Sequence, residues 1–425
     1  MKRLVLVFFA LTVAFGLWAA PVNLTVMLSG QYKFQQGEDQ FRGYPNVGEK
    51  LIGDFMRANP GTKVTIIYRD IKQGSMTFDA LMKAGTPPDV WMDAAGYFKK
   101  LLNAEYALPL QKYIDTSVYQ KDILDVYTFG GNVYALPEAQ VAGGFAINLD
   151  MLDQIGYTLP DQKDWTTDEF LNLAAKLKAA GIPATMVMGK GGMGTWTNLW
   201  LYAFGAEFWK DGKVAINSPE AVKGLNYVKQ LVDLGYNYPN PVEVNDDDGV
   251  ELFTTGKVFS CMMQNGHTDY WIPEQVKQGK IAKAMKITFV EVPHAPGRAR
   301  TPVYGYQTIT VGHYTKGNEA KNKLVAKLTE LFAGKEIQFY NTTVNGGFPT
   351  IKGFTTSTGT AASDSYKAIG KLSATAGLIT EFPSTDQGAE LWRTWATMTE
   401  SFLRGKVDAQ TMLSDFDAAA KKILK

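Results

Sequence analysis

Hydrophobic positions along the chain change period repeatedly from residue 22 onward. Val22, Leu24, Val26 and Leu28 alternate with Asn23, Thr25 and Met27, the period of a strand with one buried face. Val47, Leu51, Ile52, Phe55 and Met56 recur at helical spacing, and Asn59-Pro60-Gly61 stops that helix. Val64, Ile66 and Ile67 predict a second strand, and Phe78 to Met82 a second helix broken by Gly85-Thr86-Pro87-Pro88. Asp89-Val90-Trp91-Met92-Asp93 has the apolar middle of a buried strand. This β-α-β-α-β alternation is the pattern of a parallel sheet covered by helices.

The alternation weakens near Gly130-Gly131-Asn132. Val133 to Pro137 predicts a strand ending at the proline, and Gly143 to Asn148 another. Thr166 and Glu169 form a capping box before Phe170, Leu173, Ala174 and Leu177, with Gly181 and Pro183 at the far end. Ser218-Pro219 opens a helix carrying Val222, Leu225 and Val228, and Gly235 ends it. Strand pattern returns over Val303–Val311. Helices follow over Glu319–Phe332 and from about Ala389 to Lys425, the latter broken at Gly405.

The first twenty residues read differently. Lys2 and Arg3 precede an apolar run from Leu4 to Leu17, and Ala19-Ala20-Pro21 offers small residues for cleavage. This is the pattern of a secretory signal peptide, too short for a membrane span of about 20 residues. Residues 1–20 are therefore expected to be removed. The 425 residues suggest two or three domains. A net charge of +1 makes no electrostatic case for nucleic acid. Cys261 is the single cysteine, which excludes an intramolecular disulfide and a Cys-rich zinc site. None stands at the cleavage point, so no lipid anchor is expected there. The mature chain is expected to be a free, monomeric periplasmic protein.

Several segments in order carry a family resemblance. They are Ala84-Gly85-Thr86-Pro87-Pro88-Asp89-Val90, Leu108-Pro109-Leu110 and Gly131-Asn132-Val133-Tyr134-Ala135-Leu136-Pro137. Ile147-Asn148-Leu149-Asp150, Asp164-Trp165-Thr166-Thr167-Asp168-Glu169-Phe170, and Phe253-Thr254-Thr255-Gly256-Lys257 with Met262-Met263 continue the series. Asn345-Gly346-Gly347-Phe348-Pro349 closes it. Together they resemble the family 1 extracellular solute-binding proteins of ABC importers, which include the maltose-binding proteins. The resemblance implies an α/β, two-lobed periplasmic binding protein fold, type II-like, with a ligand cleft between the lobes. One lobe is expected to hold 21–137 plus 301–341, the other 138–300 plus 342–425, without one sheet continuous through both. The implied function is hinge-closing capture of a neutral sugar or oligosaccharide and its delivery to permease subunits of an ABC importer. No cofactor and no metal are implied. The stretch Ser29 to Asn46 is longer than the family pattern.

A sugar needs donors and acceptors for its hydroxyls and a flat ring for its C–H face. Within the implied cleft the candidates are Gln31 in the long polar stretch, Asp93 after the third strand, and Gln140 after the first crossover strand. Trp196 follows the Gly189–Gly194 loop, which lacks the order of a phosphate-binding loop. Asn265, His267 and Trp271 follow Met263, and Tyr306 and Gln307 stand at the second crossover. Trp200 and Trp165 are assigned to packing. Trp392 precedes Gly405 by thirteen residues, the relation in which the resemblance implies a stacking aromatic. Asn245-Asp246-Asp247-Asp248-Gly249 reads as a solvated helix start. The alternative class is a secreted glycoside hydrolase, which needs two facing carboxylates about 5–10 Å apart. A lesser alternative is an iron carrier using tyrosines and His267.

Overall fold

The computed structural model describes residues 21–29, 32, 46–69, 76–94, 101, 106–159, 165–298, 304–376, 382 and 386–425. Seven strands form the main sheet: β1 Val22–Ser29, β2 Thr62–Arg69, β3 Val90–Ala94, β4 Ala135–Asn148, β5 Ser260–Gln264, β6 Ile287–Val290 and β7 Tyr304–Gly312. The longer helices are α1 Val47–Ala58, α2 Met76–Lys83, α3 Thr167–Ala179, α4 Thr195–Ala203, α5 Pro219–Asp233 and α6 Asp246–Thr254. They continue with α7 Asn265–Lys277, α8 Glu319–Ala333, α9 Lys335–Thr343, α10 Asp364–Ala376, α11 Asp386–Leu403 and α12 Ala409–Ile423. Among the described residues no helix is long and apolar enough to cross a membrane.

The local signals act as expected. The Asn46 side chain accepts from Glu49 N at 2.9 Å to start α1. At α3, Thr166 Oγ1 accepts from Glu169 N while Glu169 Oε2 accepts from Thr166 N at 2.8 Å, a complete capping box. Ser218 caps α5 with Pro219 at its first position.

Strands β1 and β2 pair in parallel, as do β1 and β3, while β7 runs antiparallel between β3 and β4. One edge of β4 pairs first with β7 and then with β6; the other pairs with β5. The hydrogen-bonded path is thus a single sheet, not the pair expected from sequence. The reason is β4 itself, which does not end at Pro137 but runs for 14 residues. Pro137 is tolerated because the β4–β7 register shifts there: Thr308 faces Ala139 and Ile309 faces Pro137, leaving Glu138 as the extra residue.

The apolar cores nevertheless separate. Leu24, Val26, Leu51, Leu136, Val325, Phe332 and Ile351 share one cluster. Trp91, Ala135, Ile309 and Val311 form a neighbouring one. Phe145, Trp165, Phe170, Trp200, Leu225, Trp395 and Phe416 share another, flanked by a cluster of Ala142, Met188, Phe253, Cys261, Met263 and Ile369. Along β4, the side chains up to Leu136 belong to the first pair of clusters and those from Ala142 to the second. Phe145 is central to the second core: its ring lies edge-on to Phe170 at 5.3 Å and to Trp200 at 5.4 Å. Trp165 and Trp200 are almost fully buried, as the packing assignment expected. Phe145→Ala should cost about 3–5 kcal/mol of stability, read from urea denaturation with an unchanged m-value.

Candidate ligand-binding site

Strand β4 brings several of the expected site residues to one place. Gln140 stands within β4, not after it; its N–H donates to Phe348 O at 2.9 Å and its C=O accepts from Phe348 N at 2.7 Å. In the β7 register Gln307 faces Gln140 and Tyr306 faces Val141. Asp93 lies inside β3, opposite Ile309, not beyond the strand end. Gly143 pairs with Gln264, so β5 delivers Asn265 and His267 to α7 directly beside β4. The side chains of Asp93, Asn265, His267, Tyr306 and Gln307 lie outside the described residues, as does Gln31 entirely.

Two close approaches explain glycines at this junction. A Cβ on Gly143 would lie 2.2 Å from Trp196 Cζ3, so the indole ring rests on the bare backbone of β4. A Cβ on Gly266 would lie 1.8 Å from Asn345 O, so the first turn of α7 touches the Asn345–Phe348 turn. Trp271 is partly buried against the cluster of Met263 and Ile369. At the bulge, Glu138 is buried, and the Tyr32 hydroxyl lies 3.1 Å from Glu138 Oε2 and 3.0 Å from Asn341 Oδ1.

A cavity of about 480 Å³ lies nearby, lined by Met188, Lys190, Gly191–Gly194, Asn245–Asp247 and Trp392, Arg393 and Ala396. Its size suits a small-molecule site. The Gly189–Gly194 loop forms one wall. Gly192 has φ +100° and no space for a Cβ, which would lie 2.0 Å from Ala396 O. Met193 N donates to Thr399 Oγ1 at 2.8 Å, tying the loop to α11. Trp392 is half-buried; its ring stacks on Phe208 at 6.0 Å and meets Phe382 edge-on at 5.2 Å, and it also lines the cavity. Trp392 is thus part structural and part cavity wall.

A family model described as bacterial extracellular solute-binding protein matches residues 40–339. The chain belongs to that family. An Escherichia coli (strain K12) protein named as an ABC transporter periplasmic-binding protein is 23% identical over 339 residues, 76% of this chain and 74% of that one. A maltose-bound structure of T. maritima MalE3 superposes with a TM-score of 0.74 at 18% identity, covering 95% of this chain and all (100%) of the other. A chitin oligosaccharide binding protein gives 0.77 at 21% identity, covering 95% and 99%. The fold of this solute-binding protein is accordingly the two-lobed type II-like one.

Sequence reasoning missed the cavity's polar wall. Asn245 and Asp248 form a capping box for α6, with Asn245 Oδ1 accepting from Asp248 N at 2.8 Å and Asp248 Oδ2 accepting from Asn245 N at 3.2 Å. That is the solvated helix start that was expected, yet Asp246 and Asp247 face the cavity. Nothing in a capping pattern distinguishes an acid facing a cavity from one facing bulk water. Asp246 is exposed on the cavity wall. Partial removal of its carboxyl from water by the cavity walls and, after it, the Asp247 charge raise its pKa to about 6.

A raised carboxyl pKa means the folded state holds more protons than the unfolded state between about pH 4 and 6. The contribution of Asp246 to stability should therefore fall as pH rises through that window. Asp246→Asn should flatten that part of the stability profile, measured by urea denaturation at half-unit pH steps.

Proposed function

We propose that this solute-binding protein captures a neutral sugar or oligosaccharide between its lobes and passes it, chemically unchanged, to the permease of an ABC importer. The observation that carries the sugar reading is a cavity on the second lobe, which joins an aromatic wall, Trp392, to a polar one, Asn245–Asp247, across a glycine loop; the first lobe closes over it. This is the pairing of a ring for C–H faces with acceptors for hydroxyls. Support comes from fold neighbours that bind maltose and chitin oligosaccharide. The periplasmic ABC name of the Escherichia coli relative supports the transport partner. We place the mature protein free and monomeric in the periplasm, exported by cleavage of residues 1–20.

The moving bodies follow the cores. The crossovers lie at the β4 bulge and near the start of β7. We draw the last one after Ile351, since Val344 and Ile351 pack in the first core. Closure is a hinge motion about these segments. Gln140, Gln307 and Asn265 then act as hydroxyl partners at the junction, and Trp196 and Trp392 as aromatic faces. Asp93, Gln31, His267 and Tyr306 complete the polar contacts.

A thermal-shift screen over mono- and oligosaccharides tests the ligand class. A neutral sugar should raise the melting temperature in a concentration-dependent way. Chromatography should then recover that sugar intact; cleavage products would move the protein to the hydrolase class. Trp392→Ala should weaken binding roughly tenfold to a hundredfold, or about 1.4–2.8 kcal/mol. Circular dichroism should show the variant folded, and titration calorimetry gives the affinity. A folded variant that binds like the parent would make Trp392 purely structural.

A further inference from the structure

We propose that Asp246 is a specificity-determining ligand contact: its carboxylate accepts hydrogen bonds from sugar hydroxyls opposite the Trp392 wall, and ligand uptake releases a proton. This rests on the sugar-binding reading above and assigns the polar half of that site.

The placement carries the argument. Asp246 and Trp392 come from the first turn of α6 and from α11, and both line the same cavity. The third wall is the Gly189–Gly194 loop, where a Cβ on Gly194 would lie 3.7 and 3.9 Å from the two Asp246 carboxylate oxygens. The missing side chain at Gly194 keeps that carboxylate uncovered. The cap of α6 is complete without Asp246, since Asn245 and Asp248 satisfy each other. Asp246 is therefore not committed to holding the helix. Among the described residues it forms no ion pair either.

Four groups bear on its charge. Asp247 on the same turn opposes ionisation. Lys190 from the loop and Arg393 from α11 line the same cavity, and the positive end of α6 favours ionisation. The Cys261 thiol of β5 stays neutral, because full burial raises its pKa far above this range. Partial desolvation at the cavity wall and the Asp247 charge together raise the carboxyl toward its protonated form. A sugar hydroxyl that donates to the carboxylate favours its ionised form. Ligand binding and proton release are then the same event, and affinity rises with pH.

Titration calorimetry with maltose and a chitin disaccharide, at about pH 5 and about pH 7.5, tests this in the parent, Asp246→Asn and Asp247→Asn. Whichever sugar binds the parent should bind roughly tenfold tighter at the higher pH, as expected for one linked proton. Runs near pH 5 in two buffers of different ionisation enthalpy should show release approaching one proton. Asp246→Asn should bind with one affinity at both pH values. Asp247→Asn should keep the pH dependence but move its midpoint lower. Equal parental affinity at both pH values, or an Asp246→Asn variant that keeps the parental profile, would overturn the assignment and leave sugar binding intact. Failure of every sugar in the thermal-shift screen would overturn the functional reading, and this one with it. A melting curve of Asp246→Asn at pH 7.5 no lower than the parent's separates the binding effect from a folding defect.

Discussion

One strand of 14 residues has to serve two hydrophobic cores, and the architecture follows from how it does so. Side-chain alternation along a continuous strand would commit each face to one neighbourhood. In β4 the register shift at Pro137–Ala139 interrupts that commitment. Before it, Ala135 and Leu136 pack with the first-lobe clusters; beyond it, Ala142, Phe145, Ala146 and Ile147 pack with the second. The backbone hydrogen bonds meanwhile continue into β7 on one side and into β5 and β6 farther along. A junction of this kind keeps peptide groups paired while the apolar clusters on its two sides stay separate. That combination permits hinge motion without exposing unsatisfied backbone.

The same junction costs polar burial. Glu138, the extra residue of the bulge, is 2% exposed and accepts a hydrogen bond from Tyr32, which follows β1. The Tyr32 hydroxyl has one proton and two acceptors within reach, Glu138 and Asn341. Gln338 adds to the network by donating to Pro137 O and to Thr350 Oγ1. Such a buried network holds one geometry when its members are satisfied. It ties Tyr32, the bulge and the end of α9 into one unit.

Glycine defines the candidate site as much as the polar side chains do. Gly143 lets the Trp196 ring lie on β4, Gly266 lets α7 meet the Asn345 carbonyl, and Gly192 lets the loop lie against α11. Each removes a side chain where two backbones, or a backbone and a ring, must approach. The cavity survives between these contacts because the loop is anchored at Met193 and not filled by its own side chains.

Sequence alone determined the elements, because their signals are local. The Thr166–Glu169 capping box and the Ser218-Pro219 start act within four or five residues, and they appear where the pattern puts them. Two buried tryptophans, Trp165 and Trp200, were also legible, from helix position. Tertiary structure decided the rest. That Pro137 lies inside a strand depends on a register set by Thr308 and Ile309, more than 170 positions away. That Gln140 meets Phe348, and Met193 meets Thr399, depends on pairings across about 200 residues. Asp246 reads identically to any acidic helix start until α11 and the glycine loop form a cavity beside it. Proximity of that kind is created by chain topology, and no local pattern encodes it.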